Sequence, residues 1–458
     1  MYGLARSGLA TVDALLASGA TVMAWDKRAA ARAAVKSSPA FAGEGDQPQA
    51  GGGAAVEDGA LASAAPPPSF GRSPSPGKPG EDRLRIADPL TTSLYGFSGI
   101  VVSPGVPINR HPIAARAREA KVPLIGDIEL FAQARPELPA HKVVGITGTN
   151  GKSTTTALIH HIVEHAGIPT LMGGNIGLPI LAQEPLPEGG VYVLELSSFQ
   201  IDLTQSLDCD VSVLLNVTPD HLDRYDGMDD YAASKARLFA MQSLGNVAVV
   251  AADDDYTRAI AGQLTGERVL VSAADVKDQS RWPSLQGPHN AQNVAAAVAA
   301  CRALGLVDEA IAKGLETYPG LPHRMERVAE RNGVLFVNDS KATNPTSTAP
   351  ALAAYPAVHW ILGGLPKGED LDACAPYFDH VRAAYTIGDA GPMFARLLAG
   401  KVGTVEHSIT LSEAVASAAR SARPGETVLL SPACASFDQF KDYEARGECF
   451  RAAVGALP

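Results

Sequence analysis

The run Gly145-Ile146-Thr147-Gly148-Thr149-Asn150-Gly151-Lys152-Ser153-Thr154-Thr155 carries the residue types needed to hold a triphosphate. Two glycines three apart let backbone N–H groups turn inward. A lysine and hydroxyl side chains then open a helix. Inward N–H groups and the positive end of a helix dipole together make an anion site. In such a loop Lys152 reaches the terminal phosphates and Ser153 offers a hydroxyl to Mg²⁺. Gly148, Thr149, Asn150, Gly151 and Thr154 complete the cradle. The usual pattern has glycine where Ile146 stands, so the loop is a variant. The alternative is a glycine turn with a surface lysine. The order of strand, turn and helix speaks against it, because residues 142–146 form an apolar run that reads as a buried strand.

Other chemistry-bearing residues sit at the ends of further apolar runs. Val191-Tyr192-Val193-Leu194 ends in Glu195, and Val211-Ser212-Val213-Leu214-Leu215-Asn216 leads to His221. Strand tips of a parallel α/β sheet share one edge, so Glu195 and His221 are expected to converge on the nucleotide. With Ser153 they form a plausible divalent-metal shell. Gly173-Gly174-Asn175-Ile176-Gly177 is a third such tip. Lys235 lies in a helical stretch near this acidic edge. A bare ammonium would repel a metal, whereas a lysine held neutral can react with CO₂ to give an anionic carbamate. On residues alone, a helix-surface lysine is the default. Asn290 and Asn293, three apart at a helix start, share a face; they could read adenine edges or cap the helix.

The elements that position these residues fall into three regions. At the N-terminus a glycine turn, Gly3 to Gly8, precedes a helical pattern and the run Thr21-Val22-Met23-Ala24-Trp25, which ends at Asp26-Lys27. This looks like a nucleotide-binding βαβ unit with Asp26 where a ribose- or base-binding acid would sit. Its first strand is missing, since only Met1 and Tyr2 precede the turn. Residues 36–85 hold Gly51-Gly52-Gly53, Pro66-Pro67-Pro68 and Ser73-Pro74-Ser75-Pro76-Gly77. Such a stretch cannot bury a core and is expected to be a disordered insertion. Order should resume at Ile86. Ile100-Val101-Val102 then runs into the loop Ser103-Pro104-Gly105. In the C-terminal region four strands end in Asn338-Asp339-Ser340-Lys341-Ala342-Thr343, Gly363-Gly364-Leu365-Pro366-Lys367, Gly388-Asp389 and Ser431 to Phe440. Lysines and hydroxyls along one cleft edge suit a dicarboxylate. Three domains are expected: a Rossmann-like domain at 1–138, a central ATPase sheet at 139–321, and a second Rossmann-like domain at 322–458.

Composition bounds the rest. The chain has 458 residues and a net charge of −11, so no basic face advertises nucleic acid or an anionic membrane. Its 5 cysteines are scattered without a Cys-x-x-Cys pair, as suits a reducing compartment. No apolar run approaches 18 residues, so no membrane insertion is expected and the location read from the sequence is cytoplasmic.

Taken together, GITGTNGKSTTT, GGNIG, LELSSFQ, NVTPDHLDRY, YAASKARLF, LPHR, NDSKATN and SPACASFDQF resemble the Mur ligase family. NDSKATN and SPACASFDQF are similar to its glutamate-adding branch. The resemblance covers residue 3 to about residue 452, the insertion excepted. It implies ATP-driven ligation of D-glutamate to UDP-N-acetylmuramoyl-L-alanine through an acyl phosphate, in the synthesis of the cell wall that sets cell shape and division. It further implies that Ser153 and Glu195 hold one Mg²⁺, and that His221 and carbamylated Lys235 hold a second. Lys152, Asn293, Arg324 and Asp339 would contact ATP, the last two arriving when the C-terminal domain closes. Ser103, Asn175 and His221 would bind the UDP-sugar, with Gly3, Ser7, Asp26 and Lys27 near its uridine diphosphate. Thr343, Lys367, Ser436, Phe437 and Tyr443 would hold D-glutamate; Tyr443 stands where the family usually has phenylalanine. A monomer is expected. Ala5 replaces a common glycine, the first strand is absent, and residues 271–286 form a short connection. The expectation drawn from these departures is a start further upstream or weak UDP-sugar binding. The rival readings are a folylpolyglutamate-synthase-like ligase and a catalytically impaired nucleotide-binding homologue.

Overall fold

A computed structural model describes residues 1–36 and 83–458. Most of the expected insertion therefore lies outside the described residues. Its ends do not match the expectation. Lys36 closes the helix Ala29–Lys36, and order returns at Leu84 rather than Ile86. Leu84–Ile86 (β2) pairs in parallel with Val22–Ala24 (β1). Three residues are too short a periodic signal to stand out beside a glycine- and proline-rich run.

Contacts divide the chain into two compact units: Met1–Gly145 with Leu171–Asp210 and Pro219–Ser243, and Ile146–Thr170 with Val211–Thr218 and Leu244–Pro458. In the first unit, Ile100–Val101 (β3) pairs in parallel with Leu124–Ile125 (β4). Tyr2 bridges Trp25 and Val102 in parallel and is buried with Met23, Ile100, Val102 and Ile113. Its N–H donates to Val101 O at 2.8 Å, and Gly3 N–H donates to Trp25 O at 2.8 Å. The strands His141–Thr147 (β5), Thr170–Gly174 (β6) and Gly190–Glu195 (β7) follow in the order β5-β7-β6. Every residue of β7 is buried, the pattern of a parallel strand covered on both faces.

In the second unit, Val211–Leu214 (β8), Val247–Ala251 (β9) and Glu267–Val271 (β10) pair in parallel. The phosphate-loop helix, Lys152–His165, packs against the helices Pro288–Ala303 and Asp308–Thr317. The C-terminal sheet has six strands. They are Glu326–Arg331 (β11), Val334–Asn338 (β12), Val358–Gly363 (β13), Val381–Ile387 (β14), Thr404–Ile409 (β15) and Thr427–Leu430 (β16), in the order β11-β12-β16-β13-β14-β15. Side chains alternate across it as strand geometry requires. Val337, Trp360, Leu362, Ala384 and Leu429 fill one core. Phe336, Ile361, Tyr385, Val428 and Leu430 fill another. The sheet departs from parallel pairing at one edge, where β11 runs antiparallel to β12. β11 and β15 are half-exposed and charged, so neither shows the continuous apolar run of a central strand.

Candidate active site

The glycine positions of the phosphate loop have steric causes. Gly151 holds φ at +84° as cap of the Lys152–His165 helix, and a Cβ there would stand 2.2 Å from Asn293 Oδ1. Only glycine gives that loop its close approach to Asn293. The loop is braced by backbone and amide donors. Thr149 N–H donates to Asn216 O and Asn150 N–H to Asn216 Oδ1, each at 2.8 Å. Asn216 Nδ2 donates in turn to Gln292 Oε1 at 2.9 Å. Asn293 Oδ1 accepts from Thr155 Oγ1 at 3.2 Å, and its Nδ2 donates to Asn290 Oδ1 at 3.1 Å. Lys152 Nζ curls onto Gly148 O and Thr149 O at 3.0 and 2.7 Å, ready to swing to an anion that outbids those neutral carbonyls.

Arg324 stands at the same loop in this structure. Its guanidinium donates to Ser153 Oγ at 2.7 Å. The hydroxyl expected to meet Mg²⁺ thus accepts from a guanidinium, whose charge repels a divalent ion, so Arg324 must withdraw before Ser153 can hold one. The flanking residues are strained, with φ +62° at His323 and +48° at Met325. Asp339 steadies this segment by accepting from Met325 N–H at 3.2 Å, and it also accepts from Ser431 Oγ at 2.7 Å. Burial pushes its carboxyl up to about 7. A cavity of about 130 Å³ joins these parts, lined among others by Asn150, Gly151, Thr154, Asn293, Arg324 and Asp339. Asn216, His289, Asn290 and Tyr318 line the same cavity.

The residues expected to hold D-glutamate lie in the C-terminal part of the second unit. Lys367 Nζ donates to Thr343 Oγ1 at 2.9 Å. Ser436 is buried, while Phe437 is 69% exposed. Tyr443 OH accepts from Lys341 Nζ at 2.9 Å, and burial pushes its phenol up to about 12. The hydroxyl that replaces the usual phenylalanine hydrogen is therefore occupied. Sequence reasoning missed Arg446. It is 1% exposed and donates to Ser340 Oγ, Ser340 O, Cys434 O and Ala435 O at 2.8–3.2 Å. One side chain thus ties the loop after β12 to the loop after β16. An arginine with a glycine after it, in a helix, gives no sequence signal of such a role.

In the first unit, Glu195 is 2% exposed and its Oε1 accepts from Asn175 Nδ2 at 2.9 Å. Asn175 N–H donates to Glu195 O at 2.8 Å, an approach open because position 174 is glycine, with φ +88°. His221 is exposed, adopts φ +53°, and places Nε2 3.4 Å from Asp220 Oδ2. Lys235 departs from the helix-surface default. It is 1% exposed, with Nζ 4.4 Å over the Tyr231 ring. A buried amine is the kind that forms a carbamate. Ser103 Oγ donates to Gly3 O at 3.1 Å, which joins two expected UDP-sugar positions. Asp26 is spent locally. Its carboxylate accepts from Arg28 and from Leu4 N–H, and the Arg28 bond, foremost, holds it far below the usual carboxylate range. Ser7 lies in the first turn of the helix Arg6–Ala17, and Lys27 is exposed.

An α/β protein with this phosphate loop is built to bind a nucleotide. Comparison with known proteins makes that class specific. The Mur ligase middle domain matches residues 146–284, and the Mur ligase, glutamate ligase domain matches residues 323–434. The chain is 58% identical over its whole length to the UDP-N-acetylmuramoylalanine--D-glutamate ligase of Novosphingobium aromaticivorans, covering 94% of that protein. It is also 58% identical to the ligase of the same name from Sphingopyxis alaskensis, covering 96%. A MurF ligase structure from Thermotoga maritima in complex with ADP matches 81% of this chain and 99% of its own, at TM-score 0.57 and 18% identity, a likeness of fold alone. The chain belongs to the Mur ligase family and has its three-domain α/β architecture.

Proposed function

We propose that the protein joins D-glutamate to UDP-N-acetylmuramoyl-L-alanine at the expense of ATP, as a step of peptidoglycan precursor synthesis in the cytoplasm. The observation that carries this reading is the 58% identity across the whole chain to a relative of that name. The domain boundaries near residues 138 and 321 and the monomeric state belong to the same reading. The alanyl carboxylate attacks the γ-phosphorus in line; an O–P bond forms as the β,γ-bridging bond breaks, and ADP leaves. The amine of D-glutamate then attacks the acyl carbon, phosphate departs, and the nitrogen sheds a proton. Lys152 and the loop N–H groups neutralise the transferring phosphoryl group. Asn293 and Asp339 place the nucleoside, and Arg324 guards the phosphate side. Lys367 and Thr343 supply a cation and a hydroxyl for a side-chain carboxylate.

Mg²⁺, when bound, supplies Lewis-acid neutralisation of the phosphates. Ser153 and Glu195 are the residues for one ion, and His221 with Lys235, as its carbamate, for a second. Asn175 orients Glu195 for that duty. A substrate labelled with ¹⁸O in the alanyl carboxylate tests the acyl phosphate. Transfer of one ¹⁸O to inorganic phosphate is expected; phosphate free of label overturns the route.

A further inference from the structure

The phosphate-loop helix ends in a second set of metal-type donors, far along the helix from the loop. His161, Glu164 and His165 occupy positions i, i+3 and i+4 and so share one face. One donor atom of each lies within 4.8 Å of those of the other two. The two imidazole rings stand 3.9 Å apart between centroids. We propose that these three side chains form a binding site for a borderline transition-metal ion of the Zn²⁺ class, with water in the fourth position.

Two histidines and one carboxylate are a tetrahedral zinc donor set. Hard ions such as Mg²⁺ prefer oxygen ligands and would not compete well. Ligand atoms around one tetrahedral ion stand about 3.4 Å apart for bonds near 2.1 Å, so a small rotation of the exposed Glu164 and His165 closes the set. Each imidazole is already held through a hydrogen bond. His165 Nδ1 pairs with His161 O at 3.0 Å, which makes Nδ1 the protonated nitrogen and leaves Nε2 as the ligand. His161 Nε2 pairs with Thr317 Oγ1 at 3.0 Å, and that hydroxyl donates to Lys313 O at 3.0 Å. A hydroxyl committed to a carbonyl accepts from the ring, so Nε2 carries the proton and Nδ1 is the ligand. Ligating histidines are oriented by such partners on their other nitrogen. The site also sits in the last turn of the helix, where the dipole favours a cation.

The test is metal titration of the tag-free full-length chain in excess Mg²⁺, with Zn²⁺ against a chromophoric competitor and with Co²⁺ followed by visible absorption. One equivalent beyond that of H161A/H165A, with tetrahedral Co²⁺ bands lost in the double variant, is expected. T317V should weaken binding by about 10–100-fold. H165N alone, at an exposed position, gives the same readout if the double variant folds poorly. Equal stoichiometry and affinity in wild type and H165N, or no binding below millimolar metal, overturns the proposal.

Discussion

Asp339 and Lys152 show how single residues set the behaviour of this site. The Asp339 carboxyl is pushed up to about 7 from an ordinary value of 3.8 because it is buried. Protonation therefore favours the folded chain. As pH rises from 4 to 7 the unfolded carboxyl ionises first, and the folded state loses up to roughly 4 kcal/mol from this group. Asp339→Asn removes the group, so its stability should fall less than that of the wild type between pH 4 and 7. Chemical denaturation at several pH values measures this; parallel curves would contradict it. Lys152→Ala removes the lysine of the loop, and turnover should drop by at least about 10²-fold with the fold intact. Single-turnover ADP formation checks it. The placement of Lys152, Ser153, Glu195, Lys367 and Thr343 at or beyond strand ends was legible in the sequence. Asp26, at its strand tip, also accepts from Arg28, two residues on. Local pairing of that kind is invisible to motif spacing.

At the scale of elements, the glycine turn and the buried arginine matter most. Gly151→Ala puts a methyl group 2.2 Å from Asn293 Oδ1 in a left-handed backbone. Strain of order 1–3 kcal/mol is expected, with weaker ATP binding than in a Gly189→Ala control, whose Cβ meets nothing within 4 Å. Calorimetric ATP titration separates the two. Arg446→Met should destabilise the protein by about 3–5 kcal/mol, because Ser340 O and Cys434 O lose their buried guanidinium donor. It should also raise KM for D-glutamate, since the loops it ties carry Ser436 and Thr343. Unchanged thermal unfolding would contradict that role. The strands ending at the phosphate loop, at Glu195 and at Asn338 were readable from their apolar runs. β11 and β15 were not, because strands at the sheet edges keep charged side chains and lose the signal.

For the whole molecule, the account is that of a Mur ligase in which Tyr2 makes parallel bridges to Trp25 and Val102, and Gly3 O accepts from Ser103 Oγ. The structure could supply this and the sequence could not, because a single residue has no periodicity. Ligand binding to the folded state alone raises stability by about 2.7 kcal/mol at one hundred times Kd. UDP-N-acetylmuramoyl-L-alanine should therefore raise the unfolding temperature, and Ser103→Ala should reduce that rise. The most direct measurement is ADP release with UDP-N-acetylmuramoyl-L-alanine, alone, with D-glutamate and with L-glutamate. The account predicts sustained release only with D-glutamate. Release with a folate acceptor, or equal release with both glutamate enantiomers, would contradict it.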